Sequence, residues 1–201
     1  MVKPARKYRL RAGQRREQIL ASALPLFARS GFAGTGTRPI AAAAGIAEPI
    51  LYRHFRSKSA LFCAVLGLVA DRLEHVLGQV MTSATGAGAR LHALARALPQ
   101  LLQSHEDELR VLCAAAASHA DAVQTTATRA ALTRLGTVIA KGLAGPGLQR
   151  SVDTRTAAFF LLEVGLGSAL LRPVGVQAVL QPAFGDRIVA FLTRALLPPA
   201  R

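Results

Sequence analysis

Tryptophan is absent from the 201-residue chain, tyrosine occurs twice, and aromatic residues make up only 5%. Runs of Val, Thr or Tyr at a two-residue period are scarce, which removes the pattern of a half-buried strand. The 51% of residues that are hydrophobic are dominated by Ala and Leu, so an all-helical protein is expected. Only two cysteines occur, Cys63 and Cys113, at a spacing that fits neither a zinc site nor a disulfide framework. Free thiols in a reducing cytosol are the expectation. The sequence shows no internal repeat, glycine-rich phosphate loop, metal-spaced cluster or nucleophile elbow. No catalytic residue, metal or cofactor is therefore assigned. The N-terminus lacks the apolar core of a signal peptide. The most apolar run, residues 156–171, is 16 residues long, broken by Glu163 and rich in Gly, too short and too charged to span a membrane. A cytoplasmic protein without a membrane partner is expected.

Acidic residues are the other shortage: 11 Asp and Glu against 25 Lys and Arg, for a formal charge of +14. The imbalance is uneven. Residues 1–60 hold 12 Lys and Arg against Glu17 and Glu48, a net +10, whereas residues 61–201 carry only +4. A basic head on a near-neutral body suits a polyanion bound at one end. A solvated charge run is the bland alternative.

Residues 1–13 form a basic tail with Pro4, Gly13 and no apolar period, expected to be disordered when free. Such an arm either settles on phosphates and minor grooves or is merely solvated. A helix follows from Gln14 to Ser30, with Ile19, Ala23, Leu26 and Phe27 on one stripe. Pro25 should kink it or loosen a turn, and Gly31 should end it. Thr35 is placed as the N-cap of a second helix. Ile40, Ala41 and Ala44 share a face of that helix, Gly45 reverses the chain, and Leu51 and Phe55 share a face of a third. Two short helices around a glycine turn make a helix-turn-helix, whose second helix enters the DNA major groove.

The run from Thr35 to Lys58 reads T-x-x-R-x-I-A-x-x-A-G-I-x-x-P-x-L-Y-R-H-F-x-S-K. This resembles the DNA-binding signature of the tetracycline-repressor (TetR) family, over roughly residues 15–62. Leu51, Tyr52, His54, Phe55, Ser57 and Lys58 carry the most specific part. The resemblance implies phosphate contacts from Tyr52, His54 and Lys58, and a base-edge contact from Arg38. By their own chemistry Tyr52, His54 and Lys58 suit phosphate oxygens, and Arg38 suits guanine O6 and N7. With Leu51 and Phe55 inward, Glu48, Pro49, Ile50, Tyr52, Arg53 and His54 remain for the groove; with Thr35, Arg38 and Lys58 they form the candidate DNA-binding set. Glu48 either accepts from a cytosine amine or is a helix-start carboxylate, and Arg53 reaches base or phosphate. Ala47 and Ile50 depart from the Ser and Thr usual in the family, which leaves the preferred operator open.

Beyond Ser59 the chain reads as one helix after another. Spans are expected at Ser59 to about Ser83, Arg90–His105, Glu106–Ser118, Asp121 to about Leu143, Asp153 or Thr154 to Leu171, and Pro182–Leu197. The architecture is all-α, about nine helices in all. A basic tail (1–13) and a three-helix helix-turn-helix domain (14–58) precede a helical-bundle regulatory domain (59–201). The resemblance implies a ligand cavity in that body and a dimer built from its last two helices. Cys63, Leu66, Leu98, Leu101, Cys113, Phe159 and Glu163 are candidate cavity residues. Glu163 is the sharpest, because a carboxylate in an apolar stretch needs a cationic ligand or an arginine such as Arg96 or Arg110. The scarcity of Tyr and Trp argues against a cation-stacking pocket. Gly165, Gly167, Leu170, Phe184, Ile188 and Phe191 are candidate dimer-interface residues, since the eighth helix is apolar on nearly every face.

These readings converge on a homodimeric regulator that binds a palindromic double-stranded operator and is released by a small, largely apolar effector. A nonspecific nucleic-acid binder using the basic N-terminus is the alternative. An enzyme in the helical body is a weaker one.

Overall fold

The computed structural model describes residues 12–118, 121–144, 153–175 and 184–196. Among these residues there are nine helices and no strand: α1 (Ala12–Gly34), α2 (Thr37–Ala43), α3 (Glu48–His54), α4 (Lys58–Thr82), α5 (Ala87–Ser104), α6 (Glu106–Ala117), α7 (Ala122–Leu143), α8 (Thr154–Leu171) and α9 (Phe184–Leu196). The expected basic tail lies almost wholly outside the described residues.

Helix starts follow local chemistry in the body. Ser57 Oγ accepts from the Ala60 amide at 3.0 Å, Asp121 Oδ1 from Gln124 at 2.8 Å and Asp153 Oδ2 from Thr156 at 2.8 Å. Each satisfies an amide that has no partner within its own helix. The expected caps at Asp121 and Asp153 thus hold. α1 breaks at Gly31 (φ 63°, ψ −177°), where its end is expected, and Pro25 is carried inside the helix. One expectation needs correction. α5 begins at Ala87, three residues before the expected Arg90, because Gly86 (φ 86°) turns the chain sooner.

The core runs unbroken from the helix-turn-helix into the body. Ile19, Ala23 and Phe27 of α1 are fully buried, as their spacing requires. Phe27 meets Phe62 of α4 edge-on at 5.0 Å, and Phe32 lies 5.3 Å from Phe62. α4, roughly 37 Å long at about 1.5 Å per residue, makes its most extensive packing against α7. α6 packs across α1 more extensively than α4 does. The body therefore grips the head through two helices, where the sequence points only to α4.

α8 has the expected span, but its apolar length is greater than expected. It is 18 residues with a mean hydropathy of 1.3, long and apolar enough by those measures to cross a membrane. The 16-residue run read from the sequence stops short because it omits Thr154 and Arg155. Only 22% of this helix is buried within the chain. Phe159 and Phe160 near its start, and Leu170, Leu171 and Val174 at and beyond its end, lie exposed.

Candidate nucleic-acid interface and ligand cavity

The turn between α2 and α3 is built by Gly45, whose φ of 63° lies where a side chain would be strained. Its amide donates to Ala42 O at 3.0 Å and that of Ile46 to Ala41 O at 3.0 Å. These two bonds close the end of α2 in a Schellman arrangement. Gln18 of α1 braces the same turn, its Nε2 donating to Ala44 O at 3.1 Å. Leu51 and Phe55 are buried and anchor α3 to the core.

Anchoring that face leaves the other side open. Arg38, Pro49, Tyr52 and Arg53 are exposed, and Glu48, Ile50 and His54 half-buried. An open cleft of about 420 Å³ lies between α2 and α3, with Arg38 on one side and Glu48 and Pro49 on the other. Seven of the nine candidate DNA-binding residues are thus exposed or half-buried, and three of them border one cleft.

Thr35 and Lys58 are turned inward. Thr35 is buried at 4% exposure, and its hydroxyl donates toward Gly31 O at 2.7 Å and Leu26 O at 3.1 Å. It does not cap α2: Gly36 holds that position, without a side-chain hydrogen bond. The hydroxyl meets the carbonyls freed where α1 breaks. Lys58 is spent similarly, its Nζ donating to Phe32 O at 2.9 Å and Thr35 O at 3.2 Å while lying 4.3 Å from the Phe32 ring centroid. Both residues clamp the segment joining α1 to α2.

Thr37 is the residue that sequence reasoning missed. Its Oγ1 donates to Glu48 Oε1 at 2.5 Å and lies 3.2 Å from the Tyr52 hydroxyl. It ties α2 to two side chains of α3 and fixes where the Glu48 carboxylate points. Thr37 and Glu48 lie on different helices, so no spacing rule links them.

In the body, a cavity of about 80 Å³ lies among α4, α5, α6, α7, α8 and α9. Leu98 and Leu101 line it; Cys63, Leu66, Cys113, Phe159 and Glu163 do not. Leu66 is buried in the core that α4 shares with its neighbours. Cys113 Sγ donates toward Leu166 O at 3.6 Å. Phe159 covers Gly136, where an added Cβ would meet its ring at 3.0 Å. Glu163, expected to need a buried partner, is exposed, because the face of α8 that carries it looks away from the bundle. Burial raises the pKa of both thiols, with the Asp121 charge adding to the effect at Cys63, so both stay protonated near neutrality. Among the described residues no His, Cys, Asp and Glu cluster is placed to hold a metal.

The candidate interface residues divide. Gly165 and Ile188 line the cavity, so part of the surface assigned to a dimer faces inward. Gly167 is half-buried, while Leu170 is 63% and Phe191 64% exposed. The side chain of Phe184 lies outside the described residues.

Residues 19–65 match the family model "Bacterial regulatory proteins, tetR family". The chain is 33% identical over 104 residues to the HTH-type transcriptional activator FasR of Mycolicibacterium smegmatis, covering 52% of this chain and 48% of FasR. It is 30% identical over 128 residues to the tetracycline repressor protein class A from transposon 1721 of Escherichia coli, covering 55% and 59%. The chain spans about half the length of the curated relatives it matches. The crystal structure of reduced E. coli NemR shares the fold over 94% of this chain and all of that one, with a TM-score of 0.75 at 19% identity. The helix-turn-helix region is thus similar to that of the bacterial tetR-family regulatory proteins, and the chain shares the fold of reduced NemR.

Proposed function

We propose that the protein is a homodimeric, cytoplasmic repressor that binds a palindromic operator and lets go when a small apolar effector enters the body. The observation that supports this reading is that Arg38, Pro49, Tyr52 and Arg53 stay exposed while Leu51 anchors α3 to the core beyond the Gly45 turn. Arg38 and Ile50 are the readers and Tyr52 and His54 the phosphate contacts. Thr35 and Lys58 act one step back, by holding the α1–α2 segment. Residues 1–13 serve as a basic arm, 14–58 as the DNA-binding domain and 59–201 as the regulatory domain. A dimer is supported by the thin cover over α8, with Phe160, Leu170, Leu171 and Phe191 exposed. Their burial in a second copy removes apolar surface from water, and two heads then meet two half-sites.

Binding of purified protein to duplex DNA from upstream of its own gene tests the reading. Preference over random DNA is expected, with affinity falling steeply as salt rises. Arg38→Ala should weaken specific binding by roughly 1–3 kcal/mol and leave low-salt nonspecific binding in place. Equal affinity for random and upstream DNA would sink the proposal in favour of nonspecific binding through the basic N-terminus.

A further inference from the structure

Every residue lining the body cavity is Leu, Ile, Val, Ala or Gly. Four polar or aromatic side chains near the lining in sequence are not part of it. Glu108, beside the lining Leu109, is buried but faces Arg72 at 2.8 Å. Cys113, beside Leu112, is committed to the Leu166 carbonyl. Glu163, between Leu162 and Val164, is exposed, and the Phe159 ring is pressed onto Gly136. The three clustered phenylalanines, Phe27, Phe32 and Phe62, sit at the junction with the DNA-binding helices and none lines the cavity.

We infer that the occupant of this cavity is a flexible saturated hydrocarbon chain, the tail of an alkyl or acyl compound, whose polar end stays outside the lining. The inference rests on the reading of the cavity as the effector site. A polar atom carried inside would lose its water and meet no side-chain partner. A flat ring system would meet no aromatic edge or face to pack against. A chain that turns about its single bonds between staggered states can fit itself to a leucine-walled space.

Two probes of ten carbons each separate the possibilities: n-decanol and naphthalene. Decanoate, added as a third, asks whether an anionic end is preferred to a neutral one. With the full chain, n-decanol should raise the melting temperature in a dose-dependent way and bind at least tenfold more tightly than naphthalene by calorimetry. Gly165 lines the cavity opposite Leu98, where an added Cβ would sit 4.0 Å from Leu98 Cδ1. Gly165→Leu should therefore fold, since Leu favours a helix more than Gly, and lose n-decanol binding. Leu98→Trp, which fills the same space from α5, should do likewise. Tighter binding of naphthalene would overturn the ligand class and leave the cavity reading standing. Unchanged n-decanol binding in both filled variants would place the chain elsewhere and overturn the inference, as would failure of every probe to bind wild type. Binding of n-decanol that both variants abolish, without any weakening of operator binding, would keep the hydrocarbon site and overturn its role as effector site.

Discussion

Thr37 shows how one hydroxyl sets the posture of the proposed DNA-facing surface. By donating to Glu48 it holds the carboxylate against α2, and by its contact with Tyr52 it ties a phosphate candidate to a base-reading candidate. Thr37→Val keeps the shape and removes both contacts. The fold should lose no more than about 1 kcal/mol, the typical net worth of a hydrogen bond. Operator choice should change by roughly tenfold at one base pair, read by competition binding across single-base operator variants. An unaltered preference would mean that Glu48 is a helix-start carboxylate and nothing more. Asp121 and Asp153 make a second residue-scale prediction. Backbone and side-chain donors hold both carboxyls below the ordinary value of 3.8: for Asp121 the Gln124 amide is the first cause, for Asp153 the Thr156 hydroxyl. A carboxyl depressed on folding contributes stability that is complete above its unfolded pKa and lost as pH falls through its folded one. Melting temperature should drop as pH is lowered from about 5 through that range. The double variant Asp121→Asn with Asp153→Asn, which keeps neutral caps, should show a flatter profile.

Helix pairs carry the next level. α4 and α7 pack so closely that Gly142 leaves no room for a side chain: an added Cβ would lie 2.7 Å from Met81 Cβ. Arg90 of α5 adds a bond from Nη1 to Gly142 O at 2.7 Å, locking α5 to the same point. Gly142→Ala should destabilise by about 1–3 kcal/mol through overpacking, measured by urea unfolding. Met81→Ala in the same chain should return part of that loss, and full additivity would show that the two positions do not meet. Farther along the same helix pair, Arg134 of α7 reaches Asp71 at 2.7 Å and also Glu74, both on α4. These pairs are exposed and each contributes little. The packing decides, and with α6 laid across α1 it gives the body two handles on the first three helices.

At the scale of the whole molecule, the chain is unevenly covered. The first three helices bury their apolar faces within the chain, whereas α8 and α9 leave Phe160, Leu170, Leu171 and Phe191 exposed. Phe160→Asp and Leu170→Asp should convert the proposed dimer to a monomer in light scattering after gel filtration. Specific operator affinity should fall with them, because two half-sites no longer share one binding event. Dimers that persist in both variants would place the interface on another face.

Much of this protein is readable from its residues one by one. Helix ends are local: Gly31, Gly45, Asp121 and Asp153 act on amides and carbonyls within a few positions, so their effects follow from order alone. The burial of Ile19, Ala23, Phe27, Leu51 and Phe55 follows equally from helical period. Direction is what only the tertiary structure decided. Thr35 and Lys58 carry the right chemistry for DNA, yet both donate to carbonyls around the break between α1 and α2. Glu163 sits in an apolar run, but which face of α8 meets the bundle depends on helices dozens of residues away. Sequence order determines which side chains exist and which helix they ride on; long-range packing selects, among groups of equal chemistry, those that remain free to bind.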